Sequence, residues 1–197
     1  IMRRVDLVCV DLDECIFPFL SQSVTAMGMF LEVMVRPRYW EFIPQFMSGV
    51  FFMCRCGGKI KSIDKDVLMG AYAKVMQGVP LPLLRRHAAY LHRFFRPFSV
   101  AYLEEHARRK AHIVILSLTL QTILNVIQKK VPLFDSCSGN AIVKANGYDR
   151  FESYAAIPMK GGHDKLRCFK DIVGRYSSRT PLVIGHSEDE IPLAEYA

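Results

Sequence analysis

No stretch of this 197-residue chain reaches the roughly 20 consecutive apolar residues that a membrane-crossing helix needs. The most apolar run, Phe42 to Cys54, is shorter and reads as a buried or surface-lying helix, so no integral membrane segment is expected. The C-x-x-C pairs of zinc ribbons are also missing. The six cysteines are scattered, with only Cys54 and Cys56 close together, and they read as reduced thiols of a cytoplasmic protein. A secretory leader is not expected either, because Asp6, Asp11, Asp13 and Glu14 interrupt the apolar run that follows Met2-Arg3-Arg4. Internal repeats and low-complexity tracts are absent. Apolar residues make up 51% and charged residues 23%, which excludes the composition of a disordered chain. The length suits one α/β domain with a smaller inserted unit.

What charge there is falls unevenly. The net +7 lies wholly within residues 18–100, which hold 11 Lys and Arg against 4 Asp and Glu; the rest of the chain is neutral. Such a segment favours an anionic partner: a phosphorylated metabolite, an anionic lipid surface or nucleic acid. A solvated helix face is the plainer alternative.

Three short apolar runs organise the sequence. Val5 to Val10 leads to Asp11, His112 to Leu116 leads to Ser117, and Pro181 to Ile184 leads to Gly185-His186-Ser187. Runs of this length rich in β-branched residues predict buried parallel strands. Helical patterns flank them at Val100 to Lys110, Gln121 to Lys130 and Asp164 to Tyr176. The alternation predicts an α/β fold with a Rossmann-like, doubly wound parallel sheet. In such sheets ligands sit at the carboxyl ends of the strands, where Asp11, Ser117 and Gly185 converge. Residues 18–96 show no convincing strand. Amphipathic stretches at Ser21 to Val35, Tyr39 to Cys54, Asp64 to Met76 and Pro82 to Phe95 predict an inserted helical cap, broken at Arg36-Pro37, Gly57-Gly58 and Gly78-Val79-Pro80. The expected core is then 1–17 with 97–197. Phe134 to Phe151, with Asn146-Gly147, predicts a strand and a hairpin beside that core.

The chemistry is densest at Asp11-Leu12-Asp13, two carboxylates at i and i+2 immediately after a strand. One can attack phosphorus while the other, swung back by the turn, moves a proton. A single D-x-D is weak evidence, since acidic residues at strand ends often only form turns. The combination is more specific. Asp11-Leu12-Asp13, the strand closed by Ser117, Lys165 in Gly161-Gly-His-Asp-Lys-Leu166, and Val183-Ile-Gly-His-Ser-Glu-Asp-Glu190 together resemble, in order, the four motifs of the haloacid-dehalogenase-like hydrolases. The insertion directly after the first motif is similar to the phosphoserine-phosphatase-like branch.

The resemblance implies a phosphatase acting on a small phosphate monoester, with an aspartyl-phosphate at Asp11 and Asp13 as acid and base. It implies that Ser117, with the main-chain N–H groups of Leu118 and Thr119 at a helix start, holds phosphate oxygens, and that Lys165 neutralises them; Lys160 is the competing lysine. Ser117 as a mere helix cap is the plainer reading. For the metal the resemblance implies Mg²⁺ among Asp11, Asp13, position 186, Asp189 and Glu190. His186 stands where an Asp is usual, so another divalent cation that accepts imidazole is a further option. Glu14 and Cys15 also depart, standing where Gly and Thr are common.

Two other functions fit parts of the sequence. A catalytically weakened relative that binds a phosphorylated ligand would explain His186. A nucleic-acid module would use the basic insertion, but no recognised motif accompanies it, so nucleic acid is not expected as a partner. Trp40 with Tyr39, Phe42 and Phe46 reads as cap core or as a substrate wall, and His87, His92 and His106 read as surface residues. Substrate identity and oligomeric state are not encoded in any motif.

Overall fold

A computed structural model describes residues 5–56, 65–144, 149–154, 159 and 161–197. Strands β1 (Leu7–Val10), β2 (His112–Leu120) and β3 (Ser136–Asn140) are followed by a short pair, β4 (Ile142–Lys144) and β5 (Phe151–Tyr154), and by β6 (Pro181–Ile184). The main sheet has the order β3-β2-β1-β6 with every neighbouring pair parallel; β4 and β5 form a separate antiparallel pair. Helices α1 (Ser21–Val35), α2 (Ile43–Cys56), α3 (Lys65–Met76), α4 (Leu81–Ala88) and α5 (Pro97–Arg108) lie between β1 and β2. After β2 come α6 (Gln121–Lys130), α7 (Gly162–Tyr176) and α8 (Ile191–Tyr196).

Helices cover both faces of the sheet, which is why its inner strands read as unbroken apolar runs. Val8, Val10, Ile113 and Ile115 pack on one side with Leu103 of α5 and Ile123, Leu124 and Ile127 of α6. The alternate residues Leu7, Cys9, Val114 and Leu116 pack on the other with Phe169 and Ile172 of α7 and Leu193 of α8. Each such buried aliphatic side chain stabilises the fold by roughly 1.5–3 kcal/mol relative to exposure. No helix among the described residues is long and apolar enough to cross a membrane.

Several expected elements move. The helix predicted at Tyr39 to Cys54 is a 3₁₀ segment, Pro37–Phe42, that runs into α2. The stretch at Pro82 to Phe95 is α4 followed by a separate 3₁₀ turn, Leu91–Phe94. Helix α5 starts three residues early because Pro97, with its fixed φ and no N–H to satisfy, stands at its first position. Strand β2 runs four residues past Leu116 to Leu120, which pairs with Asn140 of β3 after a break in register. Gly57-Gly58 and Asn146-Gly147 lie outside the described residues.

Single residues differ as well. Trp40 is 55% exposed rather than core, whereas Phe42 and Phe46 are buried in the main apolar cluster. His87 is not a bare surface histidine. It is half-buried, and its Nε2 lies 2.8 Å from Glu32, which also meets Arg36 and Arg86 and so ties α1 to α4.

At the other end of β1, Asp6 accepts hydrogen bonds from the Ser178 hydroxyl and from the Arg179 and Thr180 amides at 2.9 and 3.2 Å. Burial pushes its carboxyl up, but these donors outweigh burial and hold it below its ordinary value of 3.8. A depressed carboxyl contributes stability above its unfolded pKa, and that contribution is lost as pH falls through the folded value. Asp6→Asn is therefore expected to cost about 1–2 kcal/mol at neutral pH, allowing for its partial exposure, and much less near pH 3. Urea denaturation at both pH values checks this; an equal loss at both would assign the effect to packing.

Candidate active site

Strands β2 and β6 leave β1 on opposite sides, and Val10 stands in register with both Ile115 and Ile184. The next residue, Asp11, projects from this switch point and is 6% exposed. Its Oδ1 accepts the Leu12 amide at 2.9 Å, and its Oδ2 lies 3.3 Å from Lys165 Nζ and 3.5 Å from His186 Nδ1. Lys165, in the first turn of α7 and 2% exposed, also pairs closely with Glu190 Oε1. The second oxygen of Glu190 accepts the Ser187 amide at 3.0 Å and its hydroxyl at 2.7 Å, which closes the turn after β6. Burial pushes the Asp11 carboxyl above its ordinary value; Lys165 pulls it back only in part, and Glu190 adds to the rise. Lys165 is held above its own value, because the pull of Asp11 and Glu190 outweighs desolvation.

Asp13 is anchored from two directions. The Ser21 amide donates to Oδ1 at 2.8 Å and the Thr119 hydroxyl to Oδ2 at 2.9 Å. With its only proton committed to Asp13, Thr119 must accept from the Ser21 hydroxyl, 2.8 Å away. Burial raises the Asp13 carboxyl despite these donors, and the charge on Asp11 adds to the rise. His186 bridges two carboxylates: beyond its contact with Asp11, its Nε2 lies 3.0 Å from Glu14 Oε2.

No family model matches this chain, and no curated protein sequence does. Solved structures do. A haloacid-dehalogenase-family hydrolase from Salmonella enterica serovar Typhi superposes with a TM-score of 0.69 at 13% identity, covering 97% of this chain and 59% of that one. A probable phosphoserine phosphatase from Vibrio cholerae gives 0.70 at 11% identity, covering 100% of this chain and 57% of that one. A phosphoserine phosphatase solved as an analogue of its phospho-aspartyl intermediate gives 0.63 at 12%, covering 99% and 84%. The fold is that of the haloacid-dehalogenase-like hydrolases, in its phosphoserine-phosphatase-like form. This chain spans less than two thirds of the length of the first two structures.

Within the haloacid-dehalogenase-like fold, Asp11, His186 and Glu190 bring ligand atoms within 4.8 Å of one another, a possible metal site. The donor set fits a divalent cation that tolerates mixed nitrogen and oxygen ligands. It suits Mg²⁺ poorly, because imidazole is a weak ligand for that ion, and any cation there would share Glu190 with Lys165 and Ser187, which already engage both its oxygens. The carboxylates of Asp13 and Asp189 fall outside this group. Asp189 is part of the 3₁₀ turn Glu188–Glu190, where its amide donates to the Ser187 hydroxyl at 3.3 Å.

Ser117 is 1% exposed and hydrogen-bonds Asp11. It does not cap a helix: α6 starts at Gln121 after Leu120, so Leu118 and Thr119 lie on the extension of β2 rather than at a helix start. Thr119 meets Asp13 through its side chain, and its amide reaches Ser117 Oγ at a long 3.4 Å. Lys160 lies outside the described residues, as do the side chains of Cys54 and Cys56. Ser21 was not singled out from the sequence; a serine opening the first helix after a D-x-D turn was its signal. Glu14 was visible as a departure, but its link to His186 was not.

Gly185 is required by close approach. A Cβ there would lie 2.0 Å from Glu190 Cγ, whose carboxylate is held at both oxygens. Gly185→Ala is expected to displace Glu190 and cost about 1–3 kcal/mol in urea denaturation. Wild-type stability in that variant would mean that Glu190 is not fixed in place.

Proposed function

We propose that this chain is a phosphatase that hydrolyses a small phosphate monoester through an aspartyl-phosphate at Asp11. One observation carries the reading: a buried carboxylate at the switch point of the sheet lies against the buried Lys165 ammonium, with a second carboxyl of raised pKa two residues on. Asp11 attacks phosphorus and the ester P–O bond breaks, while Asp13 delivers its proton to the leaving oxygen. Water then attacks the acyl phosphate, Asp13 takes its proton, and inorganic phosphate leaves with the Asp11 carboxylate restored. A raised Asp13 pKa suits both halves of this cycle. Lys165 and the Ser117 hydroxyl would balance the charge on the phosphoryl oxygens. A divalent cation held by Asp11, His186 and Glu190 would, when bound, neutralise part of the same charge; Mg²⁺ is the usual ion of this chemistry. Segment 18–96 would act as the cap that excludes water from the site.

The contacts of His186 and Glu190 favour a second reading, a homologue that binds a phosphorylated ligand and turns it over weakly. A panel of phosphorylated metabolites, assayed with Mg²⁺, Mn²⁺, Co²⁺, Ni²⁺ and Zn²⁺ in turn, decides between them. Release of inorganic phosphate with at least one metal is expected. Binding without release under every metal would leave only the second reading.

A further inference from the structure

Helices α1 and α7 are both 15 residues long and both lie at the surface, yet they present opposite chemistry to it. The exposed positions of α7 are His163, Arg167, Lys170, Asp171, Gly174 and Arg175, the polar outer face that a helix packed on one side needs in water. Those of α1 are Met27, Leu31, Met34 and Val35, with no polar residue among them. Met27, Leu31 and Met34 are 53%, 60% and 47% exposed, and their spacings of four and three set them on one stripe. The opposite side of the helix, with Ser21, Thr25, Met29 and Val33, is buried.

The charge beside this stripe has one sign. Glu32, the single acidic residue of α1, has a side chain only 9% exposed and is shared by Arg36 and Arg86. The chain that leaves α1 then exposes Arg36, Arg38 and Trp40. More widely, residues 18–100 hold the whole net charge of +7 together with all but four of the large apolar side chains that stand exposed among the described residues. An occupant of the stripe must therefore be apolar where it meets α1 and anionic beside it. Nucleic acid offers phosphates but nothing to cover the stripe, and a second copy would set like charge against like. A lipid surface with anionic headgroups meets both demands, since its acyl region takes the apolar side chains and its headgroup phosphates take the arginines.

We infer that the stripe of Met27, Leu31 and Met34 is a peripheral docking face for a membrane that carries anionic lipid. Helix α1 lies in the plane of the interface, with Arg36, Arg38 and Trp40 at the level of the headgroups, where tryptophan and arginine both find polar and apolar surroundings at once. The contact is peripheral, because no helix among the described residues is long and apolar enough to cross a membrane. It stands independently of the phosphatase reading.

Flotation of the full chain with phosphatidylcholine vesicles, with and without about 30% phosphatidylglycerol, tests the inference. Binding to the anionic vesicles is expected to be at least about tenfold tighter than to phosphatidylcholine alone, and to weaken as salt rises from about 0.1 M to about 0.5 M. Leu31→Asp, at an exposed position, is expected to lower the affinity about tenfold or more, and Arg38→Gln about fivefold. Trp40 is the only tryptophan of the chain, so its emission should shift to the blue when anionic vesicles are added. Absence of binding, equal binding to both kinds of vesicle, binding unchanged in Leu31→Asp, or binding without a shift of Trp40 would each overturn the inference. So would a wild-type dimer that Leu31→Asp dissociates while vesicles stay unbound, which would give the face to a second copy. If Leu31→Asp loses its circular-dichroism spectrum, Trp40 emission and Arg38→Gln decide alone.

Discussion

Asp11→Asn is expected to lower phosphate release from an aryl phosphate by about 10⁴-fold or more while the protein stays folded. The amide is nearly isosteric with the carboxylate but cannot form the acyl phosphate, so the covalent route is removed rather than weakened. Phosphate-ester hydrolysis is among the slowest uncatalysed reactions, and a catalyst must supply on the order of 20 kcal/mol. Positioning and charge supply most of it, but they act on a displacement that needs the Asp11 nucleophile. Folding should survive, because Lys165 keeps its partner Glu190 and because burial disfavours the Asp11 charge in the first place. Phosphate release and circular dichroism, measured on both proteins, check the two halves of the expectation. An Asp11→Asn protein as active as the wild type would end the mechanism.

The second large effect is expected at His186. Its imidazole stands between Asp11 and Glu14 and is one of the three donors of the possible metal site, the only neutral one. Two unit charges about 4 Å apart interact by roughly 4 kcal/mol at an effective dielectric of about 20, before desolvation is counted. His186→Asp is therefore expected to lower the Mg²⁺ concentration for half-maximal activity by about 100-fold, equivalent to about 2.7 kcal/mol. It should also raise turnover at low metal. Without metal the new carboxylate faces Asp11 and Glu14, so the variant should melt lower than the wild type and recover as Mg²⁺ is added. Titrating Mg²⁺ against both activity and melting temperature separates the outcomes. Coincident curves for the two proteins would place residue 186 outside the metal site.

Much of the architecture was legible because it is written in local periodicity. The β-branched runs ending at Asp11 and Gly185 had to be strands, and their lack of alternation required helices on both faces, which the two apolar clusters supply. The spans of α1 and α6 follow directly from the spacing of their apolar residues. The overrun of β2 was legible in principle in Ser117-Leu118-Thr119-Leu120, but a serine after an apolar run signals a strand end equally well, and only pairing with β3 settles it.

The sequence by itself thus determined which residues stand at strand ends and which faces are buried, because both depend on the chain's own repeat. The order of the elements brought Asp11, Ser117 and Gly185 to a common edge, and only the resemblance to the four motifs added Lys165 and Glu190. Partners across that edge were decided by tertiary structure alone. Lys165 meets Glu190 because Ser187 closes the turn after β6 and holds that carboxylate. Asp13 faces Ser21 and Thr119, and Glu14 reaches His186, because α1 and β2 dock where they do. Trp40 is exposed while Phe42 and Phe46 are buried, since a 3₁₀ turn rotates its side chains differently from the helix that the pattern suggested. Periodicity says which side of an element is buried; what it is buried against is set by packing between segments far apart in the chain.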